Sequence, residues 1–432
     1  MIPVLLAVGL VILIMAGLMV AAAAGLAAIV GATILFGDLF DPRIPTMLSR
    51  LAIDRIDNFL LLAIPFFILA GRLMNTGGIT ERLFSFVALL VQPVRGGLGH
   101  ANVLASFIFA GMSGSATADV VGLGAVEMRA MKQNGYPVPF SAGVTAASSL
   151  LGPILPPSIV LVAYAVQAEQ SVATLFLATI GPGILIALCY MAWVAYVAAR
   201  SGLPRGSVPR AGEVARAGVR ALLPLLTPGI ILAGIYTGVA TPTEAAAIAV
   251  LYAFVLTKFI YRELTWRQFL EQIRGTALDT ATLMFIIALT SAFGVVMLRL
   301  DLPQALAALV IGISENPTVV MFLFLVIWTV VGCFMAQTPA IIILTPMLLP
   351  IAERVGIDPV HFGVVMALAL TIGLLTPPVG MVLYALNKIA FVPLAVLFRV
   401  ALPYVAIAFG ATCLLILFPE LVLALPHAFG LR

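Results

Sequence analysis

Two short stretches combine residues that could bind ions. Gly152-Pro153-Ile154-Leu155-Pro156-Pro157-Ser158 lies inside the apolar run 139–168, and Gly373-Leu374-Leu375-Thr376-Pro377-Pro378-Val379 lies inside the apolar run 360–389. Proline removes a backbone N–H and clashes with the carbonyl one turn earlier, so paired prolines interrupt a helix in mid-run. Carbonyls freed at that depth cannot face lipid; protein, water or a bound ion must meet them. One proline alone would read as a simple kink. A duplicated Gly-x-x-x-Pro-Pro reads instead as two discontinuous helices whose freed oxygens coordinate ions.

A second pair of motifs supplies side-chain oxygens. Gly111-Met112-Ser113-Gly114-Ser115-Ala116-Thr117-Ala118-Asp119 sits between apolar arms at about 101–110 and 120–131, each too short to span a bilayer. A small, hydroxyl-rich tip between half-length arms predicts a re-entrant hairpin. Its counterpart is Met335-Ala336-Gln337-Thr338-Pro339-Ala340, between arms 319–334 and 341–352. A Ser/Gly helix-packing face would account for the small residues but not for Asp119 or Pro339. Asp119 is one of few acids deep in apolar sequence; it is expected to meet a cation or proton, or to cap the second arm, or both. Thr241-Pro242-Thr243-Glu244 reads as a helix start, with a structural role. Gly111-Met112-Ser113-Gly114 also fits the Gly-x-Ser-Gly pattern of rhomboid-type intramembrane serine proteases, which need a histidine base. His100 and His361 are the only candidates near membrane segments, and both are expected at surfaces or interfaces. A protease gives no reason for the repeat described below, so transport ranks first.

The elements that hold these motifs follow from composition. Of 432 residues 63% are hydrophobic and 9% charged, with mean hydropathy +1.20. A soluble domain carries about 25% charged residues. The chain is therefore predicted to be an all-α polytopic membrane protein, because helices satisfy their own backbone in lipid. Disorder, collagen, a nucleic-acid partner and a secreted disulfide scaffold are excluded. Cys189, Cys333 and Cys413 are scattered in apolar runs, so neither a disulfide nor a metal cluster is expected, and coupling ions replace any cofactor. Met1-Ile2-Pro3-Val4 carries no Lys or Arg, unlike a secretory leader. The first apolar run splits near Gly17 into helices at 2–18 and 20–38. Further spanning runs lie at 59–76, 172–199, 223–239, 241–260, 276–298 and 391–418. Residues 43–55 and 264–275 read as interfacial arms. Segments 81–95 and 301–315 are too short to span and read as flat or partly inserted.

The halves repeat. At an offset of 221 residues Gly17 meets Gly238, Gly111 meets Gly332, Thr117 meets Thr338, Gly135 meets Gly356, Gly152 meets Gly373, and Pro156-Pro157 meets Pro377-Pro378. The first repeat is read as 1–199 and the second as 221–432, joined by a basic linker at 200–220. With five crossings per half, the second enters the membrane from the opposite side, an inverted repeat typical of secondary transporters. Basic residues cluster at 72–95, 129–132, 200–220 and 258–274, which places these in the cytoplasm and both termini in the periplasm. The first hairpin then opens from the cytoplasm and the second from the periplasm. One ion site is expected from Ser113, Ser115 and Thr117 with oxygens around Gly152 and Pro156; another from Thr338 with Gly373, Thr376 and Pro377. Gly114, Asp119, Pro157, Ser158 and Pro378 are substrate or coupling candidates. A carboxylate between the sites would be held by hairpin N–H groups and half-helix N-termini. Hairpins and broken helices would move as one unit across a fixed scaffold, an elevator. No phosphate-cradling loop is present, so an ion gradient rather than ATP is expected to drive transport.

These residues resemble a known family. Ala63-Ile64-Pro65-Phe66-Phe67-Ile68-Leu69-Ala70-Gly71, Phe109 to Asp119, Gly152 to Ser158, Ala240-Thr241-Pro242-Thr243-Glu244-Ala245, Gly356-Ile357-Asp358-Pro359-Val360-His361-Phe362-Gly363 and Gly373 to Gly380 are similar to the large membrane subunit of tripartite ATP-independent periplasmic (TRAP) transporters. The resemblance spans almost the whole chain. It implies a sodium-driven importer of organic acids such as dicarboxylates, sugar acids or keto and hydroxy acids, in a bacterial inner membrane. It also implies a small four-helix membrane subunit and a soluble periplasmic substrate-binding protein as partners. Ala336 stands where the family often has an acid, and Val382 where an Asn is common. A stand-alone anion carrier or efflux transporter of similar build is the alternative.

Overall fold

The computed structural model describes residues 2–430, so Met1, Leu431 and Arg432, at the ends of the two expected repeats, lie outside the described residues. The described chain is helical almost throughout, and its one strand-like pairing is an isolated bridge between Arg95 and Arg205. The first half contains α1 (Ile2–Met15), α2 (Val20–Phe36), α3 (Arg43–Ile56), α4 (Ala63–Thr76), α5 (Ile79–Val91), α6 (Gly97–Ser113), α7 (Ala116–Asp119), α8 (Ala125–Gln133), α9 (Val138–Ser148), α10 (Ile159–Ala168) and α11 (Val172–Arg200). A π-helical turn, Val120–Gly124, joins α7 to α8. The second half contains α12 (Ala211–Tyr236), α13 (Pro242–Val255), α14 (Trp266–Arg299), α15 (Leu302–Ile311), α16 (Pro317–Gly332), α17 (Gln337–Arg354), α18 (Pro359–Gly373), α19 (Met381–Ala390) and α20 (Leu394–Leu417), followed by α21 (Glu420–Ala428). Among the described residues, six helical stretches are long and apolar enough to cross a membrane: Phe59–Thr76, Val172–Arg200, Ala211–Tyr236, Pro242–Ile260, Trp266–Arg299 and Leu394–Leu417.

Local sequence explains where these helices begin and end. Thr241 and Glu244 form a reciprocal cap: Glu244 N–H donates to Thr241 Oγ1 at 3.3 Å, and Thr241 N–H donates to Glu244 Oε2 at 2.8 Å. Thr241→Val is expected to lower stability by about 1 kcal/mol, read as a lower unfolding temperature of the solubilised protein. Gly17 and Gly238 turn equivalent corners with positive φ, as do Gly135 and Gly356. The starts of α2, α3, α5, α6, α7, α9, α10 and α11 recur 221 residues on, to within two residues, as the starts of α13 to α20 in order.

Two expected boundaries differ. The arm at 264–275 and the crossing at 276–298 are one 34-residue helix, α14. In the first half Asn58 ends the arm by accepting from Leu60 N–H; its counterpart Asp279 instead continues the helix and pairs with Arg72. The basic stretch 200–220 is helical from Ala211, where Glu213 accepts from Arg210 N–H, so the connecting loop is confined to 201–210.

The halves interlock reciprocally. α2 packs on α14 while α13 packs on α4; α10 packs on α17 while α19 packs on α7, α8 and the π turn between them. Such mutual exchange defines a pseudo-two-fold axis. Arg72–Asp279 and Arg82–Glu263, both at 2.5 Å, tie the halves together, and the Arg82 guanidinium lies 4.0 Å from the Tyr261 ring centroid. In the core, Trp328 of α16 stacks edge-on to Phe362 of α18 at 4.9 Å, and Tyr164 of α10 donates its hydroxyl to Pro359 O at 2.6 Å. This aromatic cluster joins the second hairpin to parts of both broken helices.

Candidate functional site

Each hairpin tip meets the break of its own half. In the first half α6 ends at Gly114, φ +61°, whose missing Cβ would sit 2.6 Å from Pro157 O. A Cβ on Gly152 would lie 3.1 Å from the Ser115 carbonyl carbon and 3.2 Å from its oxygen. Gly111 lies under Pro156 O in the same way, at 3.7 Å. The tip therefore touches the break backbone to backbone, and side chains larger than hydrogen are excluded at the contact. Ser113 is buried and its hydroxyl has no partner. Ser115 Oγ lies 3.1 Å from Thr117 Oγ1 and caps α7. Ser113, Ser115, Gly152 and Pro156 are thus brought together, with Thr117 linked through Ser115 and exposed. Ser158 Oγ donates across the break to Pro153 O at 2.5 Å and accepts from Leu161 N–H, capping α10. Ser158 thereby holds the shape of the break.

The second half repeats this contact. A Cβ on Gly332 would sit 2.8 Å from Leu370 O and 3.3 Å from Gly373 Cα, so the end of α16 lies against the end of α18. Gln337 donates its amide to Thr371 Oγ1, fixing the start of α17 to α18, with the buried Thr338 next in sequence. Thr376 donates back to Ile372 O at 2.9 Å, leaving its lone pairs free. Pro156–Pro157 and Pro377–Pro378 are both cis. The breaks differ in access: Pro156 and Pro157 are buried, whereas Pro377 and Pro378 are exposed. α7 of the first tip touches α19, which follows the second break. The first tip and the helix after the second break are therefore neighbours, and Ser115, Thr117, Thr376 and the two prolines are each at least partly exposed.

Three sequence-based expectations need correction or extension. Asp119 does not cap the second arm; Ser115 does, and Asp119 is buried with both carboxylate oxygens unpartnered. His100 and His361 are buried rather than interfacial, because tertiary packing covers the helix starts on which they sit; His361 Nε2 lies 2.9 Å from Leu415 O. No serine–histidine pair forms at the first tip: His100 and Ser113 lie at opposite ends of α6, roughly 20 Å apart at 1.5 Å rise per residue. Sequence reasoning missed Gln337, Thr371 and a buried group around Glu127. Glu127 carried a readable signal, as an acid within an apolar hairpin arm. Thr371 carried none, since a lone Thr in an apolar helix is common.

Two repeated halves, each bringing a hairpin tip onto a broken helix at depth, are the architecture of a secondary transporter. Residues 4–421 match the family model described as the tripartite ATP-independent periplasmic transporter, DctM component, and the chain belongs to that family. It is 43% identical over 376 residues to the sialic acid TRAP transporter large permease protein SiaM of Vibrio cholerae, covering 87% of this chain and 88% of the relative. It is 38% identical over 395 residues to the C4-dicarboxylate TRAP transporter large permease protein DctM of Pseudomonas aeruginosa, covering 91% and 92% respectively. Among solved structures, the Alcanivorax borkumensis YdaH transporter superposes with a TM-score of 0.63 at 16% identity, covering 88% of this chain and 89% of that one. That likeness concerns the fold.

Proposed function

We propose that this chain is the membrane-spanning path of an organic-acid importer in the bacterial inner membrane, driven by an inward sodium gradient. The observation that carries the reading is the paired contact of each hairpin tip with the break of its own half, lined by hydroxyls and freed carbonyls. Sodium prefers such oxygens, and a broken helix supplies them at mid-depth. The first sodium site uses Ser113, Ser115 and Thr117 with oxygens around Gly152 and Pro156; the second uses Thr338 with Gly373, Thr376 and Pro377. The substrate carboxylate sits in the accessible region between the first tip and the second break. Gly114, Pro157, Ser158 and Pro378 shape that region. The relatives' names specify sialic acid and C4-dicarboxylates, which share a carboxylate. The transported class is therefore an organic acid anion; a relative 35% identical is named for isethionate, a sulfonate, so the anionic group is not confined to a carboxylate.

Hairpins and broken helices move as one elevator body. Where this body faces the scaffold, glycine meets proline: Gly111 against Pro228 of α12, and Gly294 of α14 against Pro346 of α17. Smooth contacts of this kind let packed helices slide. A small membrane subunit and a soluble periplasmic binding protein complete the assembly, in keeping with the family's tripartite description. The 201–210 loop is cytoplasmic. A cysteine at the exposed position Val208 is expected to resist a membrane-impermeant thiol reagent in intact cells; labelling would invert the topology.

Proteoliposomes holding this chain and its small subunit test the function. Uptake should require both an inward sodium gradient and the binding protein, with no response to ATP. Uptake without sodium would overturn the coupling. Full-rate uptake without binding protein would favour the stand-alone carrier.

A further inference from the structure

A buried polar layer lies within the first hairpin, apart from both tip contacts. Asp119 closes α7 and Glu127 lies in α8, eight positions later. On a regular α-helix, eight residues at 100° each would leave them about 80° apart. The π turn Val120–Gly124 takes up one extra residue and brings them to within about 20° of one face. Opposite them stand Asn102 and Ser106 of α6, and Thr145 and Ser148 of α9. None of these six residues is more than 1% exposed. Gly124 in the π turn admits the Thr145 methyl, 2.8 Å from where a Cβ would be.

The hydrogen bonds in this layer run in one direction. Ser106 donates to Ser148 Oγ at 3.1 Å, Ser148 donates to Asn102 Oδ1 at 2.6 Å, and Asn102 Nδ2 donates to Thr145 Oγ1 at 2.7 Å. The Ser106 hydroxyl lies beside both carboxyls and that of Thr145 beside Glu127, but the Ser106 proton is committed elsewhere. Ser106 therefore turns lone pairs toward the carboxylates. Asp119 Oδ1 and Oδ2 and Glu127 Oε1 have no partner. α6 and α9 carry no Lys or Arg; Arg129 and Lys132 of α8 point to solvent, and His100 lies nearly two turns from Ser106 along α6. Three buried carboxyl oxygens without a partner call for a cation or a proton among them, since an uncompensated buried anion costs several kcal/mol.

The layer belongs to one half only. At the repeat offset its six positions become Leu323, Ile327, Ala340, Leu348, Met366 and Ala369. The fold does not need polar residues here, as the second hairpin closes on an apolar core.

We propose that Asp119, Glu127, Ser106 and Thr145 form a further sodium site, inside the first hairpin and distinct from the two sites at the tips. It rests on the sodium-coupled reading above. The ion lies between both hairpin arms and α9, so it travels with the moving body.

Direct binding of radioactive sodium to the purified, nanodisc-embedded chain tests this at fixed pH. Glu127→Gln should lower the saturating stoichiometry by one ion per chain. Thr338→Ala should instead weaken a different site by about tenfold and leave the saturating stoichiometry unchanged, and combining it with Glu127→Gln should show both effects. Ser106→Ala with Thr145→Val keeps both carboxylates, and should weaken one class of site by about tenfold or more, even where Glu127→Gln fails to fold. Unchanged stoichiometry in Glu127→Gln, or unchanged affinity in the double variant, would overturn the proposal. So would a response of the Glu127 variant to pH alone, which would mark a shared proton in place of sodium. Should the wild type bind no sodium at all, the coupling reading itself fails. Wild-type binding that Glu127→Gln leaves intact sinks this site alone.

Discussion

Gly373→Ala is expected to cut substrate uptake on the order of a hundredfold while the protein still inserts and purifies. Gly332 and Gly373 bring two backbones together, so a new methyl meets main-chain atoms of Gly332 rather than a flexible side chain. Overpacking of this kind costs about 1–3 kcal/mol in stability. Function should suffer more, because displacing a binding constellation by roughly 1 Å can cost about a hundredfold. The second tip carries Gln337 and Thr338, and both shift with it. Gly410→Ala is the matched control: it lies in α20 with nothing within 4 Å of the new methyl. It should leave uptake unchanged and raise stability by about 1 kcal/mol. Uptake in proteoliposomes, beside the unfolding temperature of each variant, separates the two effects. Full activity in Gly373→Ala would mean that the tip-to-break contact is dispensable.

Ser115→Ala and Thr338→Ala should each raise the sodium concentration for half-maximal uptake by about tenfold, the equivalent of about 1.4 kcal/mol per lost oxygen ligand. The residues sit in different halves and on different hairpins. Distant, independent sites add in free energy, but here the sum is spread over two ions, so the double variant should hold a midpoint about tenfold above the wild type with both ions weakened. Ser115→Ala also removes the α7 cap, a separate loss of about 1 kcal/mol in stability. Ser115→Thr keeps an oxygen in the same position and should restore most of the sodium response. A sodium midpoint that moves in neither single variant would reject the proposed ligands.

Much of the fold can be read from residue types because a bilayer leaves few options. Long apolar runs must be helices, and paired prolines must break them. Gly17, Gly135 and their counterparts Gly238 and Gly356 mark corners where only residues tolerant of positive φ fit, and all four lie at corners in the structure. The fused α14 was less legible. At the position where Asn58 caps the next helix in the first half, Asp279 runs on within α14 and pairs with Arg72, a partner two hundred positions away in sequence. Burial of His100 and His361 was equally hidden, since both open helices whose starts look interfacial until neighbouring helices cover them.

Residue types alone establish that the chain lives in a membrane, that its halves repeat, and which breakers and hydroxyls recur at matched positions. Those properties follow from local backbone chemistry and the hydrophobic requirement, which each residue meets on its own. The folded chain adds that each tip contacts its own break, that Pro377 and Pro378 are accessible while Pro156 and Pro157 are not, and that Asp119 and Glu127 turn to one face. The reason is geometric. A π turn re-phases a helix by one residue without a distinctive residue type to announce it, and burial depends on partners that the chain meets only after folding.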